Sequence, residues 1–393
     1  MRLLKLNLLI LMCAASTAFV RADDDLKNKF SPLNTAVPAL SIAPDARGGG
    51  MGDNGASTLP DISSQYWNPS KYAFMESKAG VGLSYTPWMR KIVNDVALAY
   101  LSGYYKLGQQ DQHAIGASLR YFTLGEVPLN DPSGGTYLTL NPYEMALDMS
   151  YSIKLTEGFS LGVAMRYIRS DMGADATDGY FPGNSFAADL SGYGERYVYL
   201  GNSECLWSGG FNVSNMGNKI SYDEGATSQF LPTNLKVGTG LLMPLDEYNQ
   251  LGIYIDLNKY LVPIKPTLRD GESVDDDTFI KRLEEYEDTN FVKGMMKSFS
   301  DAPGGFNEEW KEINISIAAE YNYNNQFFVR GGYFHENQMK GNRQYFSVGA
   351  GFSMNVFRLD AAYLISTVQS NPLDQTLRFT LSFDMDGLKG LFE

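Results

Sequence analysis

The amino-acid sequence predicts an all-β protein: a transmembrane antiparallel β-barrel of about 14 strands, with an N-terminal plug or hatch segment in the lumen and a short helix in one long extracellular loop. Three observations predict it. From residue 80 onward, apolar and polar side chains alternate. In TLRFTLSF (376–383), Leu377, Phe379, Leu381 and Phe383 oppose Thr376, Arg378, Thr380 and Ser382, and INISIAAEYNY and FRLDAAYLI split the same way. This is the period-two pattern of strands with one apolar face. Second, the alternating runs reach the roughly 9 to 11 residues needed to cross a bilayer at a tilt. Aromatics gather near their ends, among them Tyr100, Tyr104, Tyr105, Tyr121, Phe122, Tyr321 and Tyr323, as in interfacial girdles. Third, the connections alternate between short and long. No apolar run after the leader is long enough for a transmembrane helix, and a closed barrel is the other spanning structure that satisfies its own backbone.

Residues 1–22 read as a signal peptide: Arg2 and Lys5, then an apolar stretch from Leu8 to Ala15, then Val20-Arg21-Ala22 as a cleavage site before Asp23. Cys13 falls in that leader, and the large Met12 before it argues against lipidation, so Cys205 is the only cysteine of the mature chain and no internal disulfide can form. Residues 23–73 do not alternate and are the candidate plug or hatch. Their glycine-rich run APDARGGGMGDNGAST lacks the Gly-Lys-Ser/Thr ending of a phosphate loop and suits a compact backbone that approaches its neighbours closely. SSQYWNPSKYAF (63–74) follows. There Pro69 fixes its own φ and holds Asn68 extended, so Trp67, Asn68 and Pro69 are expected to form the hinge from plug to barrel.

The barrel proper is expected over 74–393, with strands near 78–86, 95–106, 111–123, 143–155, 158–170, 186–200, 204–216, 233–244, 249–262, 313–323, 327–336, 343–354, 357–367 and 376–384. Short turns at 108–111, 156–158, 201–203, 244–249, 324–326 and 355–357 follow the even-numbered strands, and the connections between them are generally longer. Short turns belong to the periplasmic side of such barrels and long loops to the outside, which puts both termini in the periplasm of a multi-pass protein of the bacterial outer membrane. The connection 263–312 is too long for a turn. Asp275 to Asp277, followed by Phe279, Ile280, Leu283, Tyr286, Phe291 and Val292 at helical spacing, predict one short amphipathic helix or two over the extracellular mouth.

The chain carries 45 acidic and 32 basic residues, a formal charge of −13, so nucleic acid is not an expected partner. It has two histidines, His113 and His335, with no acid placeable beside either for a catalytic triad. One mature cysteine gives no Cys/His zinc cluster. No enzyme activity, catalytic residue, metal or cofactor is expected. On the polar strand faces, Asp148, Lys154, Arg166, Asp256, Glu320, Arg330, Arg358, Asp360 and Arg378 mix both signs, which suggests pairing with one another or with a plug in preference to an ion-selective ring.

The segments LSIAPDARGGGMGDNGAST (40–58), SSQYWNPSKYAF (63–74), NVSNMGNKISY (212–222), FNEEWKEINISIAAEYNYNNQFFVRGGYFHENQMKGNRQYFSVGAGF (306–352) and NPLDQTLRFTLSF (371–383) run in order through the mature chain. Together they resemble the PorV (LptO) family of the type IX secretion system. That family is in turn similar to the fatty-acid transporter FadL, a fourteen-stranded barrel with a luminal hatch and an Asn-Pro-Ala motif, for which this chain has Asn68-Pro69-Ser70. The resemblance implies an outer-membrane carrier that receives secreted proteins bearing a type IX C-terminal signal domain from an SprA-type translocon. It would deliver them to a surface attachment complex of PorU, PorQ and PorZ type, and outer-membrane lipid would be its surroundings. Exposed apolar loop residues are costly unless they bind something. Cargo or partner contacts are therefore expected at Tyr180 and Phe181, at Phe230 and Leu231, and at Phe279, Leu283, Tyr286, Phe291 and Met295 in the extracellular loops. The alternatives are a FadL-like transporter of hydrophobic small molecules and, less favoured by the residues present, an enzyme acting on lipid A.

Overall fold

The computed structural model describes residues 32–88, 95–108, 111–130, 136–173, 180–223, 228–268, 272–302, 305–368 and 373–385; the expected signal peptide and residues 23–31 lie outside the described residues. Sixteen strands follow in chain order: β1 Ala79–Pro87, β2 Val96–Leu107, β3 His113–Leu124, β4 Val127–Asn130, β5 Thr136–Leu140, β6 Tyr143–Thr156, β7 Phe159–Asp171, β8 Gly183–Leu200, β9 Ser203–Gly217, β10 Asn234–Pro244, β11 Asn249–Tyr260, β12 Asn314–Tyr323, β13 Phe327–His335, β14 Gln344–Met354, β15 Phe357–Ser366 and β16 Leu377–Asp384. Fourteen of them pair antiparallel in one closed barrel, shut by β1 against β16 with Val81 opposite Phe383, Leu83 opposite Leu381 and Tyr85 opposite Phe379. The barrel strands fall where the alternation predicts them. The hairpin β4–β5 was not foreseen. It forms a separate two-stranded sheet in the connection between β3 and β6, where its short runs carry no long alternation.

Alternation also settles which face is inside. Leu83, Leu101, Ile115, Val163, Ile317 and Val329 are exposed on the outer face, whereas Ser102, Arg120, Asp148, Asp256, Glu320 and Arg378 are buried on the inner one. Apolar outside and polar inside is the arrangement of a barrel whose solvent is lipid. No described helix is long and apolar enough to cross a membrane.

The polar interior is met by residues Ala36 to Met75. This segment contains a 3₁₀ turn at Pro38–Ser41, helix α1 at Ala46–Gly49, helix α2 at Ser64–Trp67 and a second 3₁₀ turn at Pro69–Phe74. Its hydrogen bonds reach the inner faces of β2 (Ser102 Oγ to Ile62 O, 3.1 Å), β6 (Ala39 N to Glu144 Oε2, 2.8 Å), β7 (Ser160 Oγ to Ser70 O, 2.8 Å) and β9 (Ser208 Oγ to Ser57 O, 2.7 Å). Others reach β11 (Gly55 N and Ala56 N to Asp256 Oδ2, both 2.8 Å), β14 (Gly52 N to Ser347 Oγ, 2.7 Å) and β16 (Ala46 N to Thr380 Oγ1, 2.9 Å). A segment bonded to inner faces all round a closed barrel lies in its lumen. Gly52 shows how tightly it fits: its φ is +65°, and a Cβ there would come within 2.9 Å of the Tyr333 backbone nitrogen on β13.

The segment runs the length of the lumen. Ala36 N bonds Phe230 O in the connection between β9 and β10, at the long-loop end. Lys106 Nζ bonds Met75 O at 2.6 Å near the short-turn end, from which the chain enters β1. Both termini are expected on the short-turn side. β16 does finish there, with Asp384 opposite Gly80, but the described part of the luminal segment starts at the opposite end.

Charge pairing is densest where segment and wall meet. Arg47 of α1 bonds Glu320 through Nε (3.1 Å) and Nη2 (3.0 Å) and reaches Asp61 at 2.8 Å. Arg330 bonds the same Glu320 at 2.6 Å and Asp360 at 2.7 Å. Removing one member of a buried network leaves its partners uncompensated, a loss of about 3–5 kcal/mol. Glu320→Gln is therefore expected to lower the denaturation midpoint of the purified barrel, read by heat-modifiable gel mobility. Glu284→Gln, on an exposed helix face, is expected to leave it within about 0.5 kcal/mol.

Candidate functional site

With residues 36–75 bonded round the inner wall, the cap at the long-loop end is a surface open to a large partner. Most of it is the connection between β11 and β12, with helices α3 Asp277–Glu287, α4 Phe291–Lys297 and α5 Phe306–Glu309, followed by a 3₁₀ turn at Trp310–Glu312. The sequence dictates the helix starts. Asp276 Oδ1 accepts from Thr278 N at 2.9 Å and Asn290 Oδ1 from Lys293 N at 2.9 Å, as N-caps do. At the other end of α3, Lys219 Nζ donates to the carbonyls of Tyr286 (3.2 Å) and Glu287 (2.7 Å), where a cation meets the negative pole of the helix.

The cap is fastened at its base. Lys259 Nζ lies 3.0 Å from Glu309 and 2.5 Å from Glu312, and Lys340 Nζ of the β13–β14 connection lies 2.7 Å from Glu308 and 3.0 Å from Glu312. Ala302 N bonds Glu309 Oε1 at 2.9 Å, and Ile264 N bonds Asp301 Oδ2 at 2.8 Å. Burial pushes the Asp301 carboxyl up to about 6, with Glu312 and Glu309 adding repulsion. Its Oδ1 has no hydrogen-bond partner among the described residues. Burial likewise raises Tyr286 to about 12 and lowers Lys219.

The loop residues singled out in the sequence fare unequally. Tyr180 and Phe181 are exposed, with Phe181 N tied to Tyr222 O at 2.8 Å. Phe230 and Leu231 are only 4% and 1% exposed, which removes them from the contact surface. Leu231 packs with Ala36, Val37 and Leu40 of the luminal segment, and the Phe230 ring stands edge-on to Tyr286 at 5.4 Å. They hold the cap down. Phe279, Leu283, Tyr286, Phe291 and Met295 are half-buried, and the exposed apolar side chains of the connection include Val274, Ile280, Val292, Met296, Phe299, Phe306 and Trp310, with Phe306 and Trp310 in edge contact at 5.9 Å. An amphipathic helix on a polar platform has to choose one face to pack, and here the stripe through Phe279, Leu283 and Tyr286 takes the contacts below. The acidic residues Asp275, Asp277, Glu284, Glu285, Glu287 and Asp288 are exposed along the same connection.

Trp67, Asn68 and Pro69, expected as a hinge, form a clamped junction deep in the lumen. The Trp67 indole donates to Asp45 Oδ1 at 2.6 Å, its ring lies 4.1 Å from Lys236 Nζ, and a Cβ at Gly48 or Gly55 would overlap it. Asn68 Nδ2 donates to Ala56 O (2.9 Å) and Gly192 O (3.0 Å), while Oδ1 accepts from Ser70 N at 3.2 Å. Pro69 opens the 3₁₀ turn, and β1 begins only at Ala79. Among the described residues, cavities beside this core include one of about 60 Å³ towards the long-loop end, lined by Arg120, Asn212 and Lys236, and one of about 210 Å³ towards the short turns, lined by Asp61, Met75 and Arg358. Among the described residues no cluster of His, Cys, Asp and Glu could hold a metal ion.

The family described as Type IX secretion system protein PorV matches residues 25–267. No curated protein matches the chain. Among solved structures, the toluene transporter TodX of Pseudomonas putida is similar at 11% identity and a TM-score of 0.49, over 90% of this chain and 99% of that one. A FadL homologue of Pseudomonas aeruginosa shares 12% identity at a TM-score of 0.45, over 90% and 99% of the two chains. The toluene transporter TbuX of Ralstonia pickettii shares 11% identity at 0.43, over 87% and 96%.

The raised Asp301 makes the fastening of the cap pH-dependent. A carboxyl whose folded value lies above its unfolded one favours the folded cap fully below about 4, and that contribution is lost as pH rises through about 6. Amide exchange over 262–302, corrected for intrinsic rates, is expected to be slower at pH 5 than at pH 7.5 in the native chain. In Asp301→Asn the difference is expected to vanish, with exchange slow at both values.

Proposed function

This chain belongs to the PorV family of type IX secretion system proteins, and on that premise we propose that it is the outer-membrane shuttle of that system. In this reading it binds secreted proteins carrying the type IX C-terminal signal as they leave an SprA-type translocon, and hands them to a surface attachment complex of PorU, PorQ and PorZ type. The long-loop end faces outward, and the short turns and the end of β16 face the periplasm. Residues 36–75 act as a fixed plug, so cargo meets the barrel on its cap and does not pass through it. No catalysis is assigned to it.

One observation carries this reading: a platform held by buried ion pairs presents Val292, Met296, Phe299, Phe306 and Trp310 to solvent. Exposed apolar side chains on a fastened surface are costly unless they bind something, which supports an interaction site here. Aromatic anchors with charged surroundings are the usual centres of such surfaces, and the acidic run along α3 favours a cargo domain with basic residues about its apolar contact. Tyr180 and Phe181 extend the surface on the neighbouring loop.

Co-purification of C-terminal-signal proteins with the tagged barrel from outer membranes tests it. Phe299→Glu combined with Trp310→Glu is expected to cut capture at least tenfold, and deletion of 275–300 to abolish it, while the barrel stays heat-modifiable. Full capture by the deletion variant, or uptake of labelled fatty acid with no cargo bound, contradicts the assignment.

A further inference from the structure

At the short-turn end, one hairpin stands out of line. β2–β3 overshoots β1 by a residue or two, with Lys106 N on Lys78 O, and β12–β13 overshoots β11 by about one, with Asn324 N on Tyr248 O. β8 behaves differently. Its pairing with β7 stops at Gly194 opposite Phe159, with a last bond from Glu195 N to Gly158 O at 3.0 Å, yet the strand continues to Leu200. Over Arg196–Leu200 it is paired on one side only, to β9, from Arg196 opposite Trp207 to Leu200 opposite Ser203. At about 3.4 Å per residue, roughly 17 Å of strand edge is left open.

Alternation of the antiparallel ladder says which groups are free. Glu195 turns its N–H to β7, so Tyr197 and Tyr199 turn theirs, with their carbonyls, to the same side, where no described backbone meets them. The edge carries no proline and no bulge, devices that usually blunt an open strand, and its one charged side chain, Arg196, lies over the Trp207 ring of β9. The side chains are as telling. Tyr197 and Tyr199 continue the inward row of Tyr193 and Glu195, but beyond the luminal segment, and are 69% and 75% exposed. Glu204, opposite Tyr199 and bonded to its hydroxyl at 3.1 Å, adds a second carboxylate to the row.

We propose that the overhanging edge of β8 over Arg196–Leu200 is a docking site to which a partner protein on the short-turn side adds one extended strand. Main-chain groups in register can be read only by another strand. The face beside them, tyrosines between Glu195 and Glu204, selects a strand with basic side chains at alternate positions, held by charge and by cation–π contact. The site lies at the opposite end of the barrel from the cap; its assignment to the periplasm rests on the proposed orientation and its delivery readout on the proposed function, so the test is read only where deletion of 275–300 has abolished delivery.

Proline separates a strand-adding edge from a sticky surface. Tyr197→Pro or Tyr199→Pro removes an N–H that β9 does not use, whereas Tyr197→Ala and Tyr199→Ala keep the backbone and lose the ring. Cells carrying each variant are compared for surface delivery of C-terminal-signal proteins, with heat-modifiable barrel in the outer membrane as the folding control. A variant with Tyr197–Leu206 replaced by Asn-Gly, which deletes the overhang and keeps Arg196 opposite Trp207, covers the case in which a proline variant does not fold. The proline and deletion variants are expected to lower delivery at least tenfold and the alanine variants less than threefold, with cargo capture by the purified full-length variant unchanged. Delivery at the native level in the proline and deletion variants overturns the proposal. So does an alanine loss as large as the proline loss, and so does a photo-cross-link from position 196 that joins two copies of this chain.

Discussion

The arrangement that the rest of the structure depends on is the pairing of Arg47 with Glu320, and of Glu320 with Arg330 and through it Asp360. A barrel in lipid must turn its polar side chains inward, and an inward charge that meets neither water nor an opposite charge costs several kcal/mol. Glu320 lies between two guanidinium groups: Arg330 comes from the wall, and Arg47 comes from the luminal segment. Asp53 repeats the logic with Arg378 at 2.6 Å, and Asp256 accepts two backbone N–H groups from Gly55 and Ala56. Wall and segment are thus each other's counter-charges, and neither is complete alone.

That mutual dependence moves recognition to the ends. A segment bonded round the whole inner wall has few ways to step aside, and Asn68, with donors and acceptor all engaged, is a poor pivot. The connections at the long-loop end are free of this constraint and use the same chemistry differently. Lys259, Lys340 and three glutamates hold the base of the cap, and Phe230 and Leu231 pack beneath it. Apolar side chains that do no packing are then left on top. At the short-turn end, β8 runs past its neighbour and leaves main-chain groups where the cap leaves side chains. The two ends thus expose different chemistry, side chains at one and main-chain groups at the other, which is the basis on which two different partners are proposed.

Much of the fold was legible because period two is imposed residue by residue: each strand from β6 to β16 announces itself locally, and short turns fix the order. Contacts set by the closed shape were not. Arg47 stands in a run that reads as glycines, and its partner Glu320 is 273 positions away. Phe230 and Leu231 look like any aromatic loop, and their burial comes from distant contacts, Tyr286 of the cap against Phe230 and Ala36 and Leu40 of the luminal segment against Leu231. In α3 and α4 the helical stripe was visible, but a helix with apolar residues on two adjoining faces does not state which one packs. Phe279 and Phe291 therefore turned partly down while Val292 and Met296 turned up. The β8 overhang left no trace in the alternation, which continues past Gly194 as though a neighbour were present.

The central claim is that cargo is carried on the cap while the lumen stays shut. Locking the segment to the wall tests this most directly, with Ser70→Cys and Ser191→Cys, whose native side chain and backbone are 3.2 Å apart, joined as a disulfide in a Cys205→Ser background. The account predicts that oxidised cells deliver C-terminal-signal proteins to their surface as fast as reduced ones. Delivery that stops on oxidation and resumes on reduction would contradict it.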